Sequence, residues 1–292
     1  MKKIQWVACD LDGTLLSFNN QFHIIRPEAI EAIDGLIKTG RIFTIVTGRK
    51  HTDAMKIYDS YHLDDKCRYL VGYNGGVIYD TQTKEIIKKH YLDEKYLKIA
   101  TAIKDDLTKK GYKFIVGAYR LGDSIVFNAE AKERPHLVNN FLTFEGDFSQ
   151  RVSSYTSNFS NDPDYLKMVY FFEPDHINDI NFHHLQQEMS KKYKIPRGEL
   201  VLSGLTAFEL IPSGVSKGTA IKEISKLLNI SLENTLSIGD SGNDISMFET
   251  TKYSATLASS PDFVKKHATH IFDAPASIVV ADAINLLVLN DD

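Results

Sequence analysis

The sequence predicts an α/β fold: a parallel-sheet core interrupted by an inserted α+β unit. Short apolar runs alternate with amphipathic helical patterns near both ends of the chain, which is the arrangement of a parallel sheet with crossover helices. Between residues 84 and 202 that alternation gives way to a helix followed by paired strand-like runs. Each flanking half is short of a full sheet, so residues 1–83 and 203–292 are expected to form one core, with residues 84–202 inserted into it.

Taken in order, Ile4-Gln5-Trp6-Val7-Ala8-Cys9 reads as a buried strand that stops where acidic residues begin. Pro27 opens a helix with Ile30, Ile33, Leu36 and Ile37 on one face, and Gly40 closes it. Residues 41–46 form the second strand and end in Thr47-Gly48-Arg49. A third strand, Tyr69-Leu70-Val71, runs into Asn74-Gly75-Gly76, and residues 77–79 pair with Ile86-Ile87 across a turn at 80–83. Within the insertion, a helix over 93–110 places Tyr96, Ile99, Ile103 and Leu107 on one face. Strands at 114–119, 124–128 and 165–172 follow, with a second helix after Asp175. Residues 146–164 hold five serines and few large aliphatics, the composition of a long surface loop. Core elements resume with a strand at 207–211, a helix at 217–228 and a strand at 235–238 that ends in Gly239-Asp240. Shorter elements at 253–257, 261–266 and 278–289 complete the chain.

Composition narrows the function. The 292 residues carry 34 basic and 38 acidic side chains without a concentrated basic block, so nucleic acid is not an expected partner. No apolar run approaches a membrane span, and the run before Asp10 is too short for a signal peptide. Only Cys9 and Cys67 are present, which favours a reducing cytoplasm over a disulfide framework, and both sit in or beside apolar runs that favour burial. Tyr119, Phe127, Tyr155 and Phe159 read as core aromatics, with a sugar-binding face as the alternative.

Four pieces converge if each lies at the C-terminal edge of the sheet, where open α/β folds place their ligands. They are Asp10 with Asp12, Thr47 with Gly48, Lys217, and Asp240 with Asp244. Two aspartates straddling a bend, with Gly13 permitting the turn, supply one nucleophile and one proton carrier. Phosphoryl transfer needs in-line positioning and neutralised oxygens, and a hard cation answers that need. A magnesium site made from Asp10, Asp240 and the backbone carbonyl of Asp12, supported by Asp244, leaves room for phosphate. Lys217 keeps the Asp10 carboxylate ionised, while the Thr47 hydroxyl and Gly48 amide donate to phosphoryl oxygens.

These pieces resemble the haloacid dehalogenase superfamily and, within it, the Cof-type phosphatases, which have a Rossmann-like core and a large inserted cap domain. Asp10-Leu11-Asp12-Gly13-Thr14-Leu15 is similar to the nucleophile motif and Thr47-Gly48-Arg49 to the phosphate-binding motif. Gly214-Val215-Ser216-Lys217-Gly218 is similar to the lysine motif, and Gly239-Asp240-Ser241-Gly242-Asn243-Asp244 to the acidic metal motif. The resemblance implies that Asp10 forms an aspartyl phosphate and that Asp12 protonates the leaving oxygen, then deprotonates water. It further implies phosphate or substrate contacts from Asn74, Gly75 and Asn243, and an Arg49 that faces the substrate or the cap. The expected partner is a small phosphorylated metabolite such as a sugar phosphate or cofactor-type phosphate. Two segments depart from the family pattern. Leu257-Ala258-Ser259-Ser260 stands where relatives commonly show Met-Gly-Asn-Ala, and Ala276-Ser277-Ile278 replaces a late Asp-Gly-Val element. The alternatives are a sugar phosphomutase, with Lys113, Arg120, Arg134 and Lys167 as candidate basic residues, and a catalytically vestigial phosphometabolite-binding protein.

Overall fold

Side-chain alternation along the strand Trp6–Cys9 sets the core in place. Val7 and Cys9 join a cluster with Ala29, Ile33 and Leu36 of the helix Pro27–Lys38. Trp6 and Ala8 point the other way, into a cluster with Ala220, Ile221 and Ile224 of the helix Lys217–Leu228. Both faces of the strand are thus covered, as a central parallel strand requires. This computed structural model describes residues 4–19, 22–63, 67–122, 124–144, 151–161, 164–173, 181–196, 198–203 and 206–290.

The chain divides into two units, Met1–Lys88 with Ser216–Asp292, and Lys89–Val215. In the first, an eight-stranded sheet runs in the order His270–Phe272, Tyr253–Leu257, Thr235–Ile238, Trp6–Cys9, Ile42–Val46, Tyr69–Gly72, Val77–Asp80, Glu85–Lys89. Neighbours are parallel from His270–Phe272 through Tyr69–Gly72, and Val77–Asp80 turns back antiparallel. The fold is α/β with a parallel-sheet core. Trp6–Cys9 lies between Thr235–Ile238 and Ile42–Val46, so the three loops that follow these strands emerge side by side at the carboxyl edge. That placement is the first requirement for a shared site.

The second unit holds a six-stranded sheet in the order Arg151–Thr156, Ser124–Asn128, Phe114–Tyr119, Lys167–Phe172, Ala207–Leu210, Leu200–Ser203. One face packs against Tyr96, Leu97, Ile103 and Leu107 of the helix Glu94–Lys109, and Leu185 and Met189 of the helix Phe182–Lys192. Asp93 caps the first helix, accepting from the Tyr96 amide at 2.8 Å, so the predicted helix starts one residue later and ends at Lys109.

Several expectations are corrected here. Residues 207–210, read as a core strand, pair antiparallel with Lys167–Phe172 and Leu200–Ser203 in the second sheet. The boundary expected at 202 therefore falls at Val215, and the one expected at 83 falls at Lys88, because Glu85–Lys89 extends the first sheet. Local apolar content identified 207–210 as a strand, but which sheet it joins depends on long-range pairing; the hairpin of 77–79 with 86–87 was expected, and only the boundary moves beyond it. Residues 146–164 are not one long loop: Arg151–Thr156 pairs parallel with Ser124–Asn128, and Phe159–Asn161 forms a short helical turn. A register shift between Val152 and Ser154 breaks the alternation that would have marked the strand. Residues 145–150 and 162–163 of that segment lie outside the described residues. Tyr119, Phe127 and Phe159 are buried, and Tyr155 is partly exposed.

Cys9 and Cys67 are both free and buried. Burial pushes the Cys9 thiol well above its ordinary range, and the Asp10 and Asp244 carboxylates add to the shift against the opposing effect of Lys217. A thiol reagent should therefore label neither cysteine in the native protein and both after unfolding in guanidinium chloride, as counted by mass spectrometry. Rapid native labelling of either would contradict this packing.

Candidate active site

Each of the three central strands ends in a residue of the site. Asp10 follows Trp6–Cys9, Thr47 follows Ile42–Val46, and Gly239-Asp240 follows Thr235–Ile238. The Asp10 amide donates to the Ile238 carbonyl at 2.8 Å, which fixes where the loop of Asp10 and Asp12 leaves the sheet. That loop turns at Gly13, whose φ is +77°; a Cβ there would sit 2.7 Å from Asp240 Oδ2. Both the dihedral and the space exclude a side chain. Thr14 then donates its hydroxyl to Asp240 Oδ1 at 2.7 Å, tying the first acidic loop to the last.

Lys217 reaches this cluster from the first turn of the helix Lys217–Leu228. Ser216 caps that helix, its hydroxyl accepting from the Thr219 amide at 3.1 Å while Thr219 Oγ1 accepts from the Ser216 amide at 2.8 Å. Gly75, with φ +105°, lets the Tyr73–Gly75 turn come so close that a Cβ would meet the Ser216 carbonyl at 2.3 Å. It therefore supports the lysine loop. The ammonium Nζ donates to Asp10 Oδ1 at 2.5 Å and to Asp244 Oδ1 at 2.7 Å, and all three residues are buried.

Asp244 is occupied on both oxygens. Its Oδ2 accepts from the amides of Asp240 at 3.0 Å and Ser241 at 2.9 Å, so it braces the loop that carries Asp240. Asp10 and Asp240 each keep one oxygen that accepts no hydrogen bond among the described residues. One carboxylate oxygen from each of Asp10, Asp240 and Asp244 lies within 4.8 Å of the others. With a single ammonium among three carboxylates, the group carries an excess of two negative charges when all three are ionised. Burial pushes the Asp10 carboxyl well above its ordinary range; Lys217 opposes the shift, and Asp244, Asp240 and Asp12 reinforce it. Asp240 is pushed up to about 6 by burial and by Asp244, against the hydrogen bond from Thr14. Lys217 moves upward because its two carboxylate partners outweigh its own burial. Oxygen donors with this surplus charge fit a hard divalent cation, with Asp10 and Asp240 as available ligands and Asp244 as their support.

The loop after Ile42–Val46 is held from behind. Thr47 is buried, its amide donates to the Val71 carbonyl at 2.9 Å, and its own carbonyl accepts from the Asn74 amide at 3.0 Å. Gly48 lies against the Asn74 side chain, where a Cβ would be 3.1 Å from Oδ1. Asn74 Oδ1 accepts from Asn243 Nδ2 at 3.0 Å, and Asn243 Oδ1 accepts from the Ser241 hydroxyl at 3.0 Å. The structure therefore brings Asp10, Asp12, Thr47, Gly48, Asn74, Asn243, Lys217, Asp240 and Asp244 into one connected set.

Arg49, expected to face the substrate or the cap, is engaged by a carboxylate of the nucleophile motif. Its guanidinium grips Asp12 in a bidentate pair, Nε to Oδ2 at 2.7 Å and a terminal nitrogen to Oδ1 at 2.5 Å. Sequence reasoning also gave no role to Thr14 and Ser277. Thr14 was visible as a hydroxyl inside the nucleophile motif. Ser277, noted only as a departure, is fully buried at φ +71°; its amide donates to the Thr14 carbonyl at 2.6 Å and its hydroxyl accepts from the Arg26 amide at 2.8 Å. In the second unit, the basic residues considered for a mutase are engaged locally. Lys167 pairs with Glu209 at 3.0 Å, Lys113 with Glu173 at 3.5 Å, Arg134 donates to the Phe114 carbonyl at 2.6 Å, and Arg120 stacks over Tyr165.

The sequence model described as haloacid dehalogenase-like hydrolase matches residues 7–284. A protein of Mycoplasma pneumoniae named a putative phosphatase is 29% identical over 283 residues, covering 97% of this chain and 95% of its own. A 5-amino-6-(5-phospho-D-ribitylamino)uracil phosphatase of Bacillus subtilis is 27% identical over 284 residues, covering 91% of each. Among solved structures, a haloacid dehalogenase-like hydrolase from B. subtilis superposes with a TM-score of 0.73 at 25% identity, covering 97% of this chain and 99% of that one. A subclass IIB sugar phosphatase shares the fold at a TM-score of 0.74 and 21% identity, covering 96% of this chain and 98% of its own.

The lysine bridge should also be visible in stability. Lys217→Ala leaves two buried carboxylates without their counter-charge and should destabilise the protein by about 3–5 kcal/mol at neutral pH, read from urea unfolding. A loss below about 1 kcal/mol would mean that the bridge is not held in solution.

Proposed function

This chain belongs to the haloacid dehalogenase-like hydrolase family, as a phosphatase, and we propose that it hydrolyses small organic phosphate monoesters with magnesium through an aspartyl phosphate at Asp10. One observation carries the reading: Lys217 is buried between Asp10 and Asp244, with Asp240 beside them, at the carboxyl ends of adjacent parallel strands. A carboxylate held this way is oriented and has a cationic neighbour, as an attacking oxygen near a phosphate dianion needs.

In the first half-reaction an Asp10 oxygen attacks phosphorus, the bond from phosphorus to the ester oxygen breaks, and Asp12 gives its proton to the departing oxygen. In the second, water attacks the aspartyl phosphate while Asp12 takes a proton back, releasing inorganic phosphate and restoring the Asp10 carboxylate. Thr47 and the Gly48 amide cradle the phosphoryl oxygens, and Lys217 balances charge on the side of Asp10. Asn74 and Asn243, bonded to each other, hold the Thr47 loop against the loop of Asp240. Asp10, Asp240 and the carbonyl of Asp12 would hold a magnesium ion, which would supply electrostatic neutralisation of the phosphoryl group. The inserted unit, Lys89–Val215, carries the choice among sugar and cofactor-type leaving groups in this reading.

Wild-type protein with magnesium should release phosphate from an aryl phosphate, and both chelation and Asp10→Asn should reduce the rate to background. Asp12→Asn should cost about 10²- to 10⁴-fold in turnover. Failure of the wild type across a broad panel of phosphate esters would sink the assignment.

The pH dependence of cation binding has a defined sign. Without a cation, folded Asp240 holds its proton up to a pH of about 6, whereas the unfolded chain releases it near about 4. Between those values the folded state binds more protons, so this group's contribution to stability falls as pH rises. Above the upper value the carboxylate is ionised at a desolvation cost that a bound cation offsets. The increase in melting temperature on adding magnesium should therefore be larger at pH 7.5 than at pH 5. Equal increases at both would exclude Asp240 as a ligand with this raised proton affinity.

A further inference from the structure

Arg49 touches the proton carrier directly. The Asp12 side chain is 43% exposed and sits beside the Gly13 turn, whereas the Arg49 side chain is only 18% exposed. A half-exposed aspartate samples several rotamers, and proton transfer demands one narrow geometry. Arg49 is well placed to impose that geometry because its own backbone is anchored on two sides. Its amide donates to Thr47 Oγ1 at 3.1 Å, and its carbonyl accepts from the Tyr73 amide at 2.8 Å.

We propose that Arg49 is a positioning residue: its bidentate grip sets the plane and rotamer of the Asp12 carboxylate for proton exchange with the leaving group, and it does not itself bind the substrate phosphate. The inference rests on Asp12 being the proton carrier of the proposed phosphatase. A carboxylate offers about four lone-pair sites, and a guanidinium fork occupies two. Each oxygen therefore keeps a site at which a proton can arrive or depart while the clamp stays closed. To bind phosphate through this same Nε edge, the fork would have to abandon both bonds, each charge-assisted and short. Because Arg49 extends from the loop of Thr47 and Gly48, the clamp also fixes the proton carrier relative to the phosphate cradle. A lysine would keep the charge but lose the planar fork, so it is not a conservative replacement here.

The experiment uses full-length protein with magnesium and a series of aryl phosphates from nitrophenyl, a good leaving group, to methoxyphenyl, a poor one that depends more on proton donation. For Arg49→Ala, kcat/KM should fall less than about tenfold with the nitrophenyl ester and about 10²-fold or more with the methoxyphenyl ester. Inhibition by inorganic phosphate should stay within about threefold of wild type, since a ligand lost from phosphate would weaken it further. Arg49→Lys should show the same steepened dependence on the leaving group, and it serves if the alanine variant folds poorly. Added guanidinium ion should restore Arg49→Ala preferentially with the methoxyphenyl ester. An equal loss across the series, or a loss matched by weakened phosphate inhibition, would overturn the proposal in favour of a structural or phosphate-binding role. Absence of wild-type activity, or activity that survives Asp10→Asn, would instead refute the underlying phosphatase assignment.

Discussion

A buried ammonium shared by two carboxylates governs this site. Lys217 lies in the first turn of its helix, where the helix dipole disfavours a cation and burial adds several kcal/mol of desolvation. It remains charged because Asp10 and Asp244 hold it at 2.5 and 2.7 Å. The dependence runs in both directions. Without the ammonium, two buried carboxylates from different ends of the chain would face each other; without the carboxylates, the helix could not begin with a buried lysine. The Ser216 capping box and the close approach of Gly75 serve that arrangement, since they set the position from which the lysine side chain starts.

The same balance explains why the acidic residues divide their work. Asp244 spends one oxygen on Lys217 and the other on two backbone amides, so it fixes geometry. Asp240 spends one oxygen on Thr14 and Asp10 one on Lys217, and each retains an oxygen toward the cluster. Asp12 is neutralised separately by Arg49. Four carboxylates gathered at one edge of the sheet repel one another, and pairing them with different partners limits that repulsion without removing it. Burial still leaves Asp10 and Asp240 with raised proton affinity, an electrostatic tension that a hard cation relieves.

The parallel core was legible because its signals are local. Trp6–Cys9, Thr235–Ile238 and Ile42–Val46 are short apolar runs whose last residues adjoin chemistry-bearing loops, and the helix Pro27–Lys38 carries its start and stop residues in sequence. The insertion was less legible for physical reasons. Ala207–Leu210 reads the same whichever sheet it joins, and only its pairing with Lys167–Phe172 decides. Arg151–Thr156 is serine-rich and crosses a register shift, so neither composition nor alternation marked it. In the site, residue types revealed which groups carry charge but not which partners they choose. Arg49 lies in the phosphate-binding motif and reads as facing the substrate or the cap, and residue type alone did not reveal that its guanidinium reaches Asp12. Ser277 interrupts a family pattern and reads as a loss, yet its backbone and hydroxyl hold the carbonyl of Thr14 and the amide of Arg26.

These unanticipated contacts share a property. Each links loops that the sheet already places side by side but whose tips it leaves undetermined. Thr14 binds the loop of Asp10 and Asp12 to Asp240, Asn74 and Asn243 join the Thr47 turn to the acidic loop, and Arg49 ties the Thr47 turn back to Asp12. A parallel sheet sets the strand ends about 5 Å apart, whereas in-line transfer tolerates errors well below 1 Å. Hydrogen bonds between loop tips must supply that remaining precision. These bonds join the tips in series, Asp12 to the Thr47 turn through Arg49 and Asn74 to the acidic loop through Asn243, so each tip is braced by its neighbour. The Asp10 carboxylate is therefore positioned by polar contacts around it as much as by the strand beneath it.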